Sequence, residues 1–335
     1  PVIHALLGDI PYLNGGIFQQ HQVEQLHGQT IAIPDRAFDR LFDFFDNYQW
    51  HLDDRPLRDD REINPDVLGY IFEQYINQKQ MGAYYTKEDI TDYIGKNTIL
   101  PFLCDRAQKE YPDGFRGPNG AWMLLQRDPA RYIYPAVAKG VELPLPAEIS
   151  AGIADVGQRG AWNTPTPEEF ALPTEIWRET VARRQRYAEV QGKLEGGEVQ
   201  SINDLITLNL DIRQFVQDVI EQSERPETVR AFWKALTGVS VLDPTCGSGA
   251  FLFAALNILE PLYEACLTRM QAFVEESGPQ ESPLRFKDFR TELAQMARHP
   301  NQKYFVYKSI VVNNLYGVDL MAEATEIAKL RLFLK

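Results

Sequence analysis

The segment from residue 241 to 252, Val-Leu-Asp-Pro-Thr-Cys-Gly-Ser-Gly-Ala-Phe-Leu, constrains this chain more than any other. A short β-type run at 239–242 meets a turn containing Pro244, Gly247 and Gly249, and an apolar helical pattern follows from 250 to about 260. Glycine at these positions lets the backbone reverse sharply and lets a ligand lie against it. The free N–H groups at the helix start attract a carboxylate or phosphate. A Gly-x-Gly turn taken alone is explained equally well by the dihedrals a β-to-α connection needs.

Two familiar ligands are disfavoured here. The third glycine of a dinucleotide fingerprint would fall at 252, which is Leu252, and no acidic residue ends a clear strand some 20 positions later. The Gly-x-x-x-x-Gly-Lys-Ser/Thr phosphate loop is absent, so this turn is not that of a P-loop NTPase. The net charge of −13 over 335 residues excludes a uniformly basic nucleic-acid coat and leaves room for one local basic face. Cys104, Cys246 and Cys266 are too few and too scattered for a disulfide framework, no zinc spacing occurs, and a reducing cytoplasm is the expected compartment. The most apolar stretch, 251–267, is interrupted by Asn257, Glu260, Pro261 and Glu264, so no membrane helix is expected. The chain starts at Pro1 and stops at Lys335 inside a helical pattern, as a piece of a longer protein would.

About two domains are expected from the length. Residues 1–78 read as a helical N-terminal region: a turn-rich connection at 10–18, then apolar residues at helical spacing over 37–48 and 65–77. Residues 79–104 read as a loop and a helix opened by a Thr86/Asp89 capping pattern and ending near Leu103. Residues 105–236 read as an irregular, Pro- and Gly-rich insertion packed by its aromatics, followed by helices over 173–194 and 201–222. Residues 237–335 alternate strand and helix, with helical patterns near 289–298 and 304–313, a second buried strand at 315–318 and a final helix at 322–334. The expected fold is therefore mixed: a helical region followed by the first part of an α/β domain.

The run Asp243-Pro244-Thr245-Cys246-Gly247-Ser248-Gly249-Ala250-Phe251-Leu252 resembles motif I, the S-adenosylmethionine loop, of the N6-adenine DNA methyltransferases. Gly82-Ala83-Tyr84-Tyr85-Thr86 resembles their motif X, and Asn314-Leu315-Tyr316-Gly317-Val318-Asp319 their motif II, an order that corresponds to the γ type. The pieces Leu13-Asn14-Gly15-Gly16-Ile17-Phe18 and Leu68-Gly69-Tyr70-Ile71-Phe72-Glu73 are similar to type IIG restriction-modification enzymes and to the PglX methyltransferases of BREX phage defence.

This resemblance implies a Rossmann-like class I methyltransferase fold, S-adenosylmethionine as cofactor, and double-stranded DNA with a flipped adenine as substrate, with other defence-system subunits as further partners. It implies a cofactor site made of Tyr85, Thr86, Asp243, Pro244, Cys246, Gly247, Ser248, Gly249, Phe251, Asp319 and Leu320. In it Asp319 takes the ribose hydroxyls, Tyr85 and Thr86 meet the methionine carboxylate, and Asp243 orients the loop or receives the methionine ammonium. A carboxylate at a strand end suits a vicinal diol because it accepts two charge-assisted hydrogen bonds. Motif IV, Asn/Asp-Pro-Pro-Tyr/Phe, which holds and stacks the flipped adenine, occurs nowhere in the chain; in the γ order it follows motif II. The chain is thus expected to bind cofactor without being a complete catalyst. A methyltransferase acting on RNA or protein, and a non-catalytic cofactor-binding scaffold, are the competing readings. Arg178, Arg183, Arg184 and Arg186 form the densest basic cluster and are the expected DNA face; a solvated helix face explains them as well.

Overall fold

The computed structural model describes residues 22–30, 32–50, 62–63, 69–71, 86–277 and 286–335. The connection at 10–18, most of the 65–77 helix and the motif X residues 82–85, Tyr85 included, lie outside the described residues. In chain order the helices and strands are α1 (Gln22–His27), α2 (Asp35–Phe45), β1 (Gln49–Trp50), β2 (Glu62–Ile63), α3 (Glu88–Glu110), α4 (Trp122–Arg127), α5 (Pro135–Ala138) and α6 (Ala147–Ala154). They continue with α7 (Trp177–Glu195), α8 (Ile202–Thr207), α9 (Ile212–Glu221), α10 (Pro226–Gly238), β3 (Val241–Asp243), α11 (Ala250–Glu276), α12 (Lys287–Met296), α13 (Gln302–Asn313), β4 (Leu315–Gly317) and α14 (Ala322–Leu334). The described chain is mostly helical. It divides into two units, one of residues 1–91, 241–254 and 315–335, the other of 92–240 and 255–314.

In the first unit, β3 and β4 pair in parallel, with Val241 opposite Leu315, Leu242 opposite Tyr316 and Asp243 opposite Gly317. The ladder continues past the strands, since Val318 donates to the Asp243 carbonyl and Cys246 donates to that of Val318, both at 2.9 Å. Two parallel strands separated by helices are the α/β element the sequence suggested; Leu242, Tyr316 and Val318 are nevertheless exposed, unlike strands covered on both faces. Helix α2 forms where the apolar spacing placed it, with Phe38, Leu41 and Phe42 exposed.

The second unit holds the larger core. Ile149, Trp162, Phe170, Trp177 and Val181 form one buried cluster, in which the Trp162 indole donates to the Ile149 carbonyl at 3.0 Å. Trp122 stacks on Phe215 at 5.2 Å, and Tyr132 meets Phe215 edge-on at 6.0 Å. Asp218 lies fully buried beside them and accepts from Arg131 at 2.8 Å, Gln214 at 2.9 Å and Tyr132 at 3.0 Å. Burial by itself would raise its pKa, but these donors outweigh that and hold it below the usual carboxylate range.

Three expectations about helices need correction. Helix α3 runs to Glu110 rather than ending near Leu103, continuing through Pro101, because Leu103, Cys104 and Ala107 extend its buried stripe. Helix α11 likewise passes Pro261 and ends at Glu276. An interior proline costs about 3 kcal/mol, and here Leu262, Tyr263, Cys266, Leu267 and Met270, each at most 1% exposed, outweigh it. This helix is long and apolar enough to cross a membrane, but two thirds of its apolar window is buried inside the protein, as in a core helix. The single helix expected over 201–222 is two, α8 and α9. Asn209 adopts φ 53°, and Leu210 and Asn209 donate back to the carbonyls of Leu205 and Ile206 at 2.9 and 3.0 Å, a Schellman closure. Asp211 then caps α9 by accepting from the Gln214 N–H at 3.0 Å.

Candidate functional site

The turn between β3 and α11 is built by hydrogen bonds that its sequence makes possible. Asp243 ends β3 and accepts from the Thr245 N–H at 3.0 Å, a local side-chain-to-backbone turn that starts the reversal. Gly247 and Gly249 take φ 52° and 83°, conformations that a residue with a Cβ adopts at a cost. Gly249 donates to the Cys246 carbonyl at 2.7 Å, and the first bond of α11 runs from the Phe253 N–H to the Gly249 carbonyl at 2.8 Å. The glycine at 249 has a second cause: a Cβ built there would lie 2.9 Å from the Cβ of Ala328 on α14.

The end of β4 meets this turn. Asp319 accepts from the Gly247 N–H at 2.8 Å through one carboxylate oxygen and from the Met321 N–H at 2.9 Å through the other. The acid 72 residues along the chain therefore pins the glycine turn directly. Each carboxylate oxygen keeps acceptor capacity beyond its backbone partner, and Asp319 is only half-buried. Leu320 beside it is 95% exposed. Gly317 completes the packing beneath, where an added Cβ would lie 2.8 Å from Leu252 and 3.0 Å from the Cys246 sulfur. Leu252, which disfavoured a dinucleotide at this turn, thus packs on the glycine of β4.

One residue that sequence reasoning missed is Arg331. It is 2% exposed on α14, donates to the Ser248 carbonyl at 2.9 Å and the Ser248 hydroxyl at 3.3 Å, and lies over the Phe253 ring at 5.2 Å. The turn is held from β4 by a carboxylate and from α14 by a guanidinium. Nothing in the spacing of an arginine late in a helix announces this, because its partner is 83 positions away.

Of the expected cofactor residues, Asp243, Pro244, Cys246, Gly247, Ser248, Gly249, Phe251, Asp319 and Leu320 come together on β3, the turn, the first residues of α11 and the end of β4. Thr86 stands two residues before α3, whose first bonds close on the Lys87 carbonyl at 3.1 and 3.2 Å, so the cap falls one residue later than the Thr86 pattern predicts. A glycine turn opening a 27-residue helix, with a strand-end carboxylate beside it, fits a ligand that carries a diol and an anionic group.

The expected DNA face on α7 divides. Arg183 pairs with Glu175 at 2.9 Å and donates to the carbonyls of Val137, Lys139 and Phe170 at 3.1, 2.7 and 2.8 Å, with its side chain 10% exposed. Arg184 donates to the carbonyls of Val141 and Leu143 at 2.9 and 2.6 Å. These two are corrected: their guanidiniums hold the 137–143 and 170–175 segments against α7 and do not face solvent phosphate. Arg178 and Arg186 are exposed, the latter paired with Glu189 at 3.1 Å.

Comparison with known proteins adds to this geometry. Residues 219–335, which hold the turn, both strands and α14, match the family model of the MmeI DNA-methyltransferase domain. A protein of Methanocaldococcus jannaschii, assigned as a candidate type II restriction enzyme and methyltransferase, is 26% identical over 336 aligned positions. That match takes in 97% of this chain and 18% of the relative, so the chain spans under a fifth of the protein it resembles. No solved structure matches the chain. Both matched descriptions name a methyltransferase, and the relative's name adds a type II restriction enzyme.

Proposed function

We propose that this chain is the S-adenosylmethionine-binding portion of an N6-adenine DNA methyltransferase from a restriction-modification or phage-defence system, of the γ motif order. The observation that carries the reading is the contact between Asp319 and the Gly247 N–H, which joins the two motif-like segments into one site at the carboxyl ends of adjacent parallel strands. Ligands of open α/β sheets bind at that edge. In this reading Asp319 receives the ribose hydroxyls with Leu320 beside the adenine, while Gly247, Ser248, Gly249 and Phe251 bring the start of α11 to the methionine end. Pro244 and Cys246 shape the turn, Asp243 orients it, and Tyr85 with Thr86 closes over the methionine carboxylate. When bound, the cofactor supplies the sulfonium methyl group. The chain's own residues orient it and hold its diol, a contribution of positioning and electrostatics. In this reading adenine capture falls to other residues, since no Asn/Asp-Pro-Pro-Tyr/Phe tetrad occurs in this sequence. A cytoplasmic setting and double-stranded DNA with a flipped base follow as the partners of the complete enzyme.

Calorimetric titration with S-adenosylmethionine and with NAD, alongside Asp319→Asn, tests this. The expected result is micromolar binding of the first ligand alone, weakened at least tenfold, or about 1.4 kcal/mol, by the substitution. No binding of S-adenosylmethionine, or binding of NAD, overturns it.

A further inference from the structure

Helix α12 separates its charges by face. Phe286 and Phe289 are buried and stack on each other at 5.6 Å, which turns that side of the helix inward. Both acids of the helix are partnered, Asp288 although exposed and Glu292 half-buried. Asp288 accepts from Arg230 at 2.6 Å, and Glu292 accepts from the Trp233 indole. The outward side carries Lys287, Thr291, Ala294 and Gln295, with Arg298 just past the helix end, all exposed and lining one shallow groove. Arg290 lines the same groove and is tied to the Ser277 hydroxyl at 3.3 Å. The stripe runs about 16 Å at 1.5 Å per residue. In a chain of net charge −13, Lys287, Arg290 and Arg298 line this one groove, and the exposed acid nearest them, Asp288, is neutralised by its pair with Arg230.

We infer that this face of α12 is a contact surface for the sugar-phosphate backbone of duplex DNA, an inference that rests on the DNA-acting reading above. A rigid row of cations with neutral hydrogen-bonding groups between them suits phosphates at regular spacing, which fix register and carry no base information. Surfaces that hold single strands present aromatic rings for base stacking. Here the aromatics point into the core and the outward positions are Thr291, Ala294 and Gln295, so the face fits a duplex. It also replaces the α7 cluster, whose Arg183 and Arg184 are committed to internal carbonyls.

The test is the salt dependence of binding by the 335-residue chain to a labelled 20-base-pair duplex, read by fluorescence anisotropy at low ionic strength. Two lost phosphate contacts should reduce the slope of log K against log salt by about 2. Lys287→Gln with Arg298→Gln is expected to give that reduction, whereas Arg178→Gln with Arg186→Gln, an equal loss of charge elsewhere, gives a smaller one. The exposed positions leave thermal unfolding unchanged. No duplex binding, an unchanged slope or equal reductions in both pairs overturns the inference, and tighter binding of a single-stranded RNA of the same length overturns it in favour of RNA. Titration of the same variants with S-adenosylmethionine reports separately on the cofactor site: loss there in the unsubstituted chain sinks the proposed function, while intact cofactor binding with an unchanged slope sinks only this surface.

Discussion

At the scale of single residues, the glycine turn is the part of the site most legible from sequence, because a glycine's freedom is local information. Gly247 and Gly249 take the positive φ that their position between strand and helix predicts. The reason Gly249 tolerates no side chain is partly non-local, since Ala328 lies against it. Gly249→Ala therefore combines a left-handed residue with a close contact and is expected to destabilise the protein by about 2 kcal/mol. It should also abolish binding of S-adenosylmethionine. Gly160→Ala is the control, having no atom within 4 Å of an added Cβ and no positive φ, and should leave the unfolding temperature unchanged. Equal unfolding temperatures for the two variants would show that the turn is not under this constraint. Asp319 was legible in kind, a strand-end acid, though its bond to Gly247 was not. Arg331 was not legible at all, because a cation in the last turn of a helix reads as solvated until the fold buries it against Ser248. The arginines of α7 show the converse error: clustering in sequence resembles a charged surface, yet Arg183 and Arg184 are used as internal crosslinks.

Among whole elements, strand and helix positions from 241 onward agree with the sequence pattern to within a few residues except at the end of α11, which runs to Glu276, since turn residues punctuate the others. The misjudged ends arose where two local signals conflicted with burial. The expected ends near Leu103 and Glu260 fall soon after Pro101 and just before Pro261, but each proline lies in a helix whose buried stripe continues on both sides. At 209–211 the error was opposite, because apolar spacing continued through a real break. The Asn209 and Asp211 pair carried a stop and a start, a left-handed closure and a cap, and these outweighed the periodicity. That account makes Asn209 informative. Substitution by valine, whose branched side chain disfavours φ near 53°, should cost about 1 to 2 kcal/mol, whereas Asn209→Gly should stay within about 0.5 kcal/mol of the original. Urea unfolding curves distinguish them, and valine proving as well tolerated as glycine would mean that the break is imposed by packing alone.

For the molecule as a whole, carboxyl groups of opposite behaviour set the pH at which the fold is most stable. Asp218, Glu175 and Asp288 are each pushed up by burial but held below the usual range by stronger hydrogen bonds, from Arg131 with Tyr132 and Gln214, from Arg183, and from Arg230. Such groups contribute stability that is present above their unfolded pKa, near 4, and is lost as pH falls through the lower folded value. Glu264 and Glu292 lie above the usual range. Burial is the main cause in both, reinforced by Glu260 for the first and Asp288 for the second, and opposed by Lys303 and by the Trp233 indole respectively. Their sign is reversed: the folded state takes up a proton first, so stability falls as pH rises through the window between the unfolded and the raised folded pKa. Self-repulsion at a net charge of −13 acts in the same direction, since protonation reduces it. The unfolding temperature is therefore expected to rise as pH falls through the raised pKa of these two glutamates and to drop again below about pH 4. Glu264→Gln with Glu292→Gln should flatten that rise and leave the acid limb in place. Asp218→Asn should do the reverse, weakening the acid limb and costing about 3 kcal/mol at neutral pH, because it takes the charge from a buried carboxylate that Arg131 pairs with. A melting temperature that climbs steadily from pH 4 to pH 8 would show that the arginine-held carboxylates dominate and that the two half-buried glutamates contribute nothing to the balance.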